Sequence, residues 1–131
     1  MTTPDAVQPA LRILVVDTDD RIRESLSRLL CIGGHCVVIG GASGADDAVV
    51  LAAAAQPDVV LLDPRLPAMA GDRAIVASLR DAVPGIRVLV LNWSEAPDGP
   101  RAEGADAYIK KTFRPRELID AVVAAARPSV A

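Results

Sequence analysis

Four polar side chains each follow a short, mostly aliphatic run: Asp17, Asp63, Asn92 and Lys111. Such runs, rich in β-branched residues, are typical of strands that are buried on both faces of a sheet. The strand before Asp63 must stop there, because Pro64 has no amide hydrogen and disfavours helical geometry at the preceding residue. Ligands of open α/β sheets bind at the carboxyl ends of the strands. A carboxylate in that position is a candidate for binding or reaction chemistry, although a lone aspartate could equally just cap a strand end.

The elements that must position these four residues alternate along the chain. Short apolar runs predict strands over 11–16, 36–39, 59–62, 86–91 and 107–110. Helices are predicted between them, beginning after a cap at Asp19 or Asp20, after a cap at Ser43, at Gly71-Asp72 and at Pro115. Two glycine pairs complete the pattern, with Gly33-Gly34 ending the first helix and Gly40-Gly41 predicted as a turn.

Alternating strands and helices indicate a parallel sheet with helices on both faces and right-handed crossovers. Two five-stranded orders are natural candidates. In the flavodoxin-like strand order 2-1-3-4-5, the ends of the first and third strands face each other at the switch point. That order brings Asp17 and Asp63 together and places Asn92 and Lys111 along the same edge. The expected fold is therefore an α/β three-layer sandwich with a five-stranded parallel sheet.

Length and composition are those of one domain. The chain has 131 residues, of which 51% are hydrophobic, enough to bury a substantial core. The expected organisation is a flexible leader over residues 1–10, a folded domain over 11–127 and a short tail over 128–131.

Charge and cysteine content narrow the function classes. A net charge of -3 and a pI of about 5.0 argue against direct nucleic-acid binding. The sequence has no run of transmembrane length and no signal-peptide pattern, so a cytoplasmic protein without a membrane partner is expected. Cys31 and Cys36 have no metal-ligand spacing and are predicted to be reduced, packed thiols.

The sequence resembles a receiver domain of the two-component response regulators, the fold of the chemotaxis receivers. The resemblance covers about residues 11–127 and rests on four motifs in order and spacing. These motifs are Ile13-Leu14-Val15-Val16-Asp17, Val59-Val60-Leu61-Leu62-Asp63 with Pro67 and Gly71, Val88-Leu89-Val90-Leu91, and Gly104-Ala105-Asp106-Ala107-Tyr108 with Lys111.

The resemblance implies a role for each matching residue. Asp63 matches the phosphoacceptor, which takes a phosphoryl group from a phosphohistidine to form an acyl phosphate. Asp17, Asp63 and the backbone carbonyl of Arg65 match ligands of a Mg²⁺ ion. Lys111 matches the lysine that pairs with the phosphoryl group, and Tyr108 matches the aromatic residue whose rotamer reports activation.

Three residues depart from the family pattern at this site. Thr18 stands where the family has its second acid, and a neutral hydroxyl is a poorer ligand for a hard cation. Asn92 replaces the hydroxyl residue that bonds the phosphoryl oxygen, although its amide can still donate a hydrogen bond. Trp93 follows where a small residue is usual. The resemblance therefore implies a weakened Mg²⁺ site and weakened coupling to Tyr108.

The segment from Ser94 to Gly104 also departs from the family. It is shorter than the stretch that normally holds the fourth helix, and Pro97, Gly99 and Pro100 interrupt it. A short or missing fourth helix is expected, with a remodelled output surface. Thr112 replaces a proline that is cis in many relatives, so the peptide bond after Lys111 is expected to be trans.

Two functions from different classes follow from the resemblance. The first is a phosphorylated, non-enzymatic signalling receiver that meets a histidine kinase or phosphotransfer protein and then an unknown downstream protein. The second is a degenerate, phosphorylation-independent interaction module. Homodimerisation stays open, and the chain is expected to be a stand-alone receiver or an excised one. A basic group on the predicted output side could meet an acidic partner, or could be an ordinary solvated face: Lys110, Lys111, Arg114 and Arg116.

Overall fold

Five parallel strands form a single sheet at the centre of the structure, a computed structural model that describes residues 9–63, 72–92, 105–110 and 112–126. Their order across the sheet is β2-β1-β3-β4-β5, so the predicted order 2-1-3-4-5 is confirmed. The strands are β1 (Leu11–Val16), β2 (Cys36–Ala42), β3 (Val59–Leu62), β4 (Arg87–Asn92) and β5 (Ala107–Lys110).

Four α-helices cover the sheet in the described part of the chain: α1 (Asp20–Leu30), α2 (Ala45–Ala55), α3 (Asp72–Ala82) and α4 (Pro115–Ala126). Their positions agree with the four predicted helices to within two residues at the start. None of the helices in these ranges is long and apolar enough to cross a membrane.

The core consists of two apolar clusters, one on each face of the sheet. Leu14 and Val16 of β1 pack into one cluster, which contains residues of α2 and α3. Ile13 and Val15 of the same strand pack into the other, which contains residues of α1 and α4. Successive strand residues point to opposite faces. Burial of all four residues explains why the central strands read as continuous apolar runs rather than alternating ones.

The start of α1 is fixed by Asp19. Its carboxylate accepts hydrogen bonds from the amides of Arg21 at 2.9 Å and Ile22 at 3.4 Å. These amides have no partner within the helix, and an N-cap aspartate satisfies them. Of the two predicted caps, Asp19 rather than Asp20 is the one used.

Strand β2 is longer than predicted, and the turn predicted at Gly40-Gly41 is wrong. Both glycines pair with β1, opposite Leu14 and Val15, and the register shift before them leaves Ile39 as an extra residue. The glycines do not break the strand, because the parallel ladder continues through their main chains to Ala42.

Two further predictions need correction. The N-cap of α2 is Gly44 rather than Ser43, and it forms no side-chain capping bond. The first turn instead carries Asp46 and Asp47, whose negative charges interact favourably with the positive end of the helix dipole. Cys31 follows the end of α1 and is exposed, so only Cys36 is the packed thiol that was predicted.

Several predictions lie outside the described residues. These are residues 1–8 of the predicted leader over 1–10, the Pro-rich loop over 64–71, the fourth-helix segment over 94–104 and the tail. The geometry of the peptide bond between Lys111 and Thr112 also stays a prediction.

Candidate functional site

The ends of β1 and β3 place two aspartates side by side. Val16 pairs with Leu62 in the parallel ladder, and the amide of Asp63 donates to the carbonyl of Val16 at 3.0 Å. Asp17 and Asp63 directly follow the last residues of these two strands. They are 2% and 4% exposed, and in the described part of the chain they are the two charged residues that are buried. Burying two adjacent carboxylates costs free energy, so the site needs compensating partners.

Three hydrogen bonds hold Asp17, two through its main chain and one through its side chain. Its amide donates to the carbonyl of Ala42 at 3.0 Å, at the end of β2. One carboxylate oxygen accepts from the amide of Asp19 at 2.9 Å. The Asp17 carbonyl accepts from the guanidinium of Arg23 at 2.8 Å. Both the backbone and the side chain of Asp17 are therefore fixed by neighbouring groups.

Thr18 is exposed and lies between the buried Asp17 and the helix cap Asp19. The Asp19 carboxylate is exposed and accepts from two amides of α1, so it serves as the N-cap of that helix rather than as a buried acid of the pocket. The described part of the pocket therefore contains two carboxylates.

The other strand ends supply the backbone positions of two further candidates. Leu62 pairs with Val90, and Val90 pairs with Tyr108, which is 47% exposed. Asn92 ends β4, pairs with Lys110 and lies at the same edge of the sheet as the two aspartates. Its side chain, together with Arg65, Trp93 and Lys111, lies outside the described residues.

The donors fit a divalent cation in kind but supply little charge. Carboxylate oxygens are the preferred ligands of Mg²⁺, and Asp17 and Asp63 provide two carboxylates. No group of three or more His, Cys, Asp or Glu side chains suited to a metal occurs among the described residues. Thr18, which follows Asp17, is neutral and adds no carboxylate to this pair.

Comparison with known proteins identifies the family. The family model for the response regulator receiver domain matches residues 13–123. The chain belongs to this family. Its members serve phosphorylation-based signalling as their standard role, generally bind Mg²⁺ at an acidic site, and interact with histidine kinases or phosphotransfer proteins.

The curated relatives are response regulators from several bacteria. The chain is 32% identical to response regulator GacA of Pseudomonas aeruginosa over 115 residues, which cover 86% of this chain and 53% of GacA. It is 38% identical to response regulator MprA of Mycolicibacterium vanbaalenii over 113 residues, 83% of this chain and 47% of MprA. The chain thus spans about half the length of the curated relatives it matches.

Solved receiver domains share the fold over nearly their full length. The signal receiver domain of a response regulator NarL from Mycobacterium tuberculosis superposes with a TM-score of 0.77 at 30% identity, covering 91% of this chain and 98% of that one. The chemotaxis response regulator CheY4 of Vibrio cholerae gives a TM-score of 0.74 at 25% identity, with 88% and 98% covered. The flavodoxin-like receiver fold is therefore established for this receiver domain.

Proposed function

We propose that this receiver accepts a phosphoryl group on Asp63 from a histidine kinase or phosphotransfer protein. The observation that carries the proposal is the buried pairing of Asp17 and Asp63 at the carboxyl edge of the sheet. Two carboxylates are retained there in spite of the desolvation that their burial costs. The Asp17 carboxylate accepts from the amide of Asp19, and the pairing of a second carboxylate with it is what supports a site for phosphoryl chemistry.

The transfer itself requires little covalent assistance. An oxygen of the Asp63 carboxylate attacks phosphorus, the P–N bond of the phosphohistidine breaks, and the imidazole nitrogen keeps the electron pair of that bond. Such transfers depend on positioning and on neutralising the phosphoryl charge. Mg²⁺, when bound, would supply the positive charge that neutralises the phosphoryl group. Asp17, Asp63 and the carbonyl of Arg65 would hold the ion, with Thr18 as a weak neutral neighbour.

The remaining residues act on the phosphoryl group or read it out. Lys111 would pair its ammonium group with a phosphoryl oxygen, and the Asn92 amide would donate a hydrogen bond to another. The exposed ring of Tyr108 would then report the phosphorylated state to a downstream protein. In this scheme the chain is a signalling switch and not an enzyme, and its effect passes through protein contacts.

A second function is favoured by one specific observation. Thr18 is exposed and neutral, so the described pocket carries one acid fewer than the family pattern. A receiver-like interaction module that works without phosphorylation would need no stronger cation site. The two functions differ in whether Asp63 reacts.

Phosphorylation is tested by incubating the chain with acetyl phosphate and Mg²⁺ and measuring its intact mass. We expect a mass increase of one phosphoryl group, which disappears in Asp63→Asn. Asp47→Asn is the matched control, because Asp47 is an exposed aspartate on α2 and its replacement should leave the mass increase intact. No adduct at saturating Mg²⁺ would overturn the switch and favour the interaction module.

A further inference from the structure

Arg23 of α1 reaches back to the acid pocket, the site formed by Asp17 and Asp63 at the ends of β1 and β3. Its side chain is 22% exposed, and one guanidinium nitrogen donates to the main-chain carbonyl of Asp17 at 2.8 Å. The other terminal nitrogen pairs with the carboxylate of Asp20, one turn earlier on the same helix. The planar guanidinium thus bridges the end of β1 and the start of α1, a fork that a lysine cannot form.

Strand β2 leaves the room that this side chain needs. A Cβ atom placed on Gly41 would lie 3.0 Å from Cδ and 3.2 Å from Nε of Arg23, closer than packed atoms normally come. The preceding Gly40 differs, since a Cβ there would meet only a Leu14 methyl group at 3.7 Å, an ordinary contact. Neither glycine has the positive φ that would demand glycine for conformational reasons. Gly41 therefore accommodates the stem of Arg23.

We propose that Arg23 is a positioning residue of the acid pocket, which fixes the main chain at Asp17 so that its carboxylate is held ready for the cation. This inference rests on the proposed function of Asp63. Because Thr18 is neutral and exposed, Asp17 is the one buried acid that the β1–α1 loop contributes. With no second buried acid in the loop, the position of Asp17 has to be set by other groups.

A purely electrostatic role for Arg23 predicts the opposite result. A guanidinium that contacts the main chain of Asp17 opposes the approach of a cation to that residue, so removing its charge would strengthen Mg²⁺ binding. A positioning role predicts weaker binding, because the loop carrying Asp17 would lose its hold. The direction of the change in Mg²⁺ affinity therefore separates the two roles.

The test compares Arg23→Met with Arg28→Met. Arg28 is on the same helix and forms a surface pair with Glu24, so its replacement removes an equal charge away from the pocket. We expect Arg23→Met to weaken Mg²⁺ binding about tenfold or more, the usual effect of losing a residue that orients metal ligands. We expect Arg28→Met to leave binding unchanged. Titration followed by NMR gives the affinities, and circular dichroism verifies the fold.

Exchange of the Asp19 amide provides a measurement that needs no metal. This amide donates to the Asp17 carboxylate, so its protection reports directly on the loop. We expect faster hydrogen exchange at Asp19 in Arg23→Met and in Gly41→Ala, whose new methyl group displaces the arginine. Gly40→Ala is the matched control for the second route and should leave exchange at Asp19 unchanged.

Unchanged exchange at Asp19 in both Arg23→Met and Gly41→Ala, or tighter Mg²⁺ binding in Arg23→Met, would overturn the positioning role. Failure of the proposed function gives a different result, in which the wild-type chain forms no Asp63 adduct. The exchange measurement, made without Mg²⁺, still decides in that case whether Arg23 holds the loop.

Discussion

At the scale of single residues, Thr18 is the neutral side chain that directly follows the buried Asp17. It is exposed, and it lies between one aspartate that is buried in the pocket and another that caps α1. A hydroxyl in this position contributes no charge to a cation site. Mg²⁺ affinity depends strongly on the number of charged oxygen ligands, so this one side chain should dominate the strength of the site.

Thr18→Asp should strengthen Mg²⁺ binding about tenfold, or about 1.4 kcal/mol, because it adds a carboxylate next to Asp17. Thr18→Asn is the matched control, since it has similar size and no charge and should leave the affinity close to that of the wild type. Isothermal titration of the three proteins measures the effect. Equal affinities for the Asp and Asn variants would show that residue 18 does not reach the cation.

The sequence motifs predict the meeting of Asp17 and Asp63 but not the contact made by Arg23. Asp17 and Asp63 could be predicted to meet, because each follows an apolar run and parallel strands end at one edge. Arg23 could not be found in this way. The partner that links it to the pocket is the main-chain carbonyl of Asp17, and a main-chain carbonyl is present at every residue. The glycine that makes room for Arg23 lies on β2, far along the chain.

At the scale of elements, Asp106 ties the entry of β5 to α3 and β4. Its carboxylate accepts from the amide of Val88 at 2.8 Å, and one of its oxygens pairs with Arg80 at 3.1 Å. Its own amide donates to the carbonyl of Val88 at 2.8 Å, so the two residues are joined twice. Arg87 approaches the other oxygen at 3.5 Å. Asp106 therefore holds β5, a strand at the edge of the sheet, against β4 and α3.

Asp106→Ala should lower the free energy of unfolding by about 1–3 kcal/mol, because the Val88 amide loses its partner. Asp106→Asn keeps an acceptor oxygen for that amide and should lose less. Urea unfolding measures both, with Asp81→Ala on the exposed side of α3 as a control that should change little. Equal losses for Asn and Ala would assign the effect to the ion pairs rather than to the Val88 amide.

Another contact between elements anchors the end of α2. Arg12 of β1 donates to the carbonyls of Ala55 and Gln56, both at 2.7 Å. These carbonyls lie at the end of the helix, where no intrahelical donor remains for them. Gln56 takes the left-handed conformation there, with a φ of 51°. The helix ends at Ala55, and this arginine helps to fix that end.

At the scale of the whole molecule, stability comes from the two apolar clusters that enclose the sheet. Val60 on β3 is fully buried in one cluster, between β1 and β4. Val50 on α2 is 67% exposed, although it stands in an equally apolar stretch of sequence. These two valines therefore differ in environment rather than in chemistry.

Val60→Ala should lower the free energy of unfolding by about 2 kcal/mol, from lost burial of two methyl groups and the cavity that remains. Val50→Ala should change it by less than about 0.5 kcal/mol, because the residue is mostly in water and alanine favours helices. Chemical denaturation of the two variants gives the comparison. Similar losses at both sites would indicate that the exposed face of α2 is covered in solution.

The sequence by itself determined the alternation of elements and the edge of the sheet at which Asp17 and Asp63 lie. Each of these follows from local patterns: the apolar runs, the helix caps, the breaks at proline and the requirement that parallel strands be joined by crossovers. The family motifs then gave the chemistry, because their residues stand at fixed distances from the strand ends.

Only the tertiary structure decided the contacts that cross between elements. Gly40-Gly41 reads locally as a turn, but pairing with β1 keeps both residues in β2. The exposure of Val50 and Cys31 and the contacts of Asp106 with Val88 and Arg80 depend on residues distant in sequence. The bond from Arg23 to Asp17 spans only six residues, but the room for this side chain is left by Gly41 on β2. Such contacts are fixed by how the layers pack, and local patterns carry no information about which side chain will reach a given carbonyl.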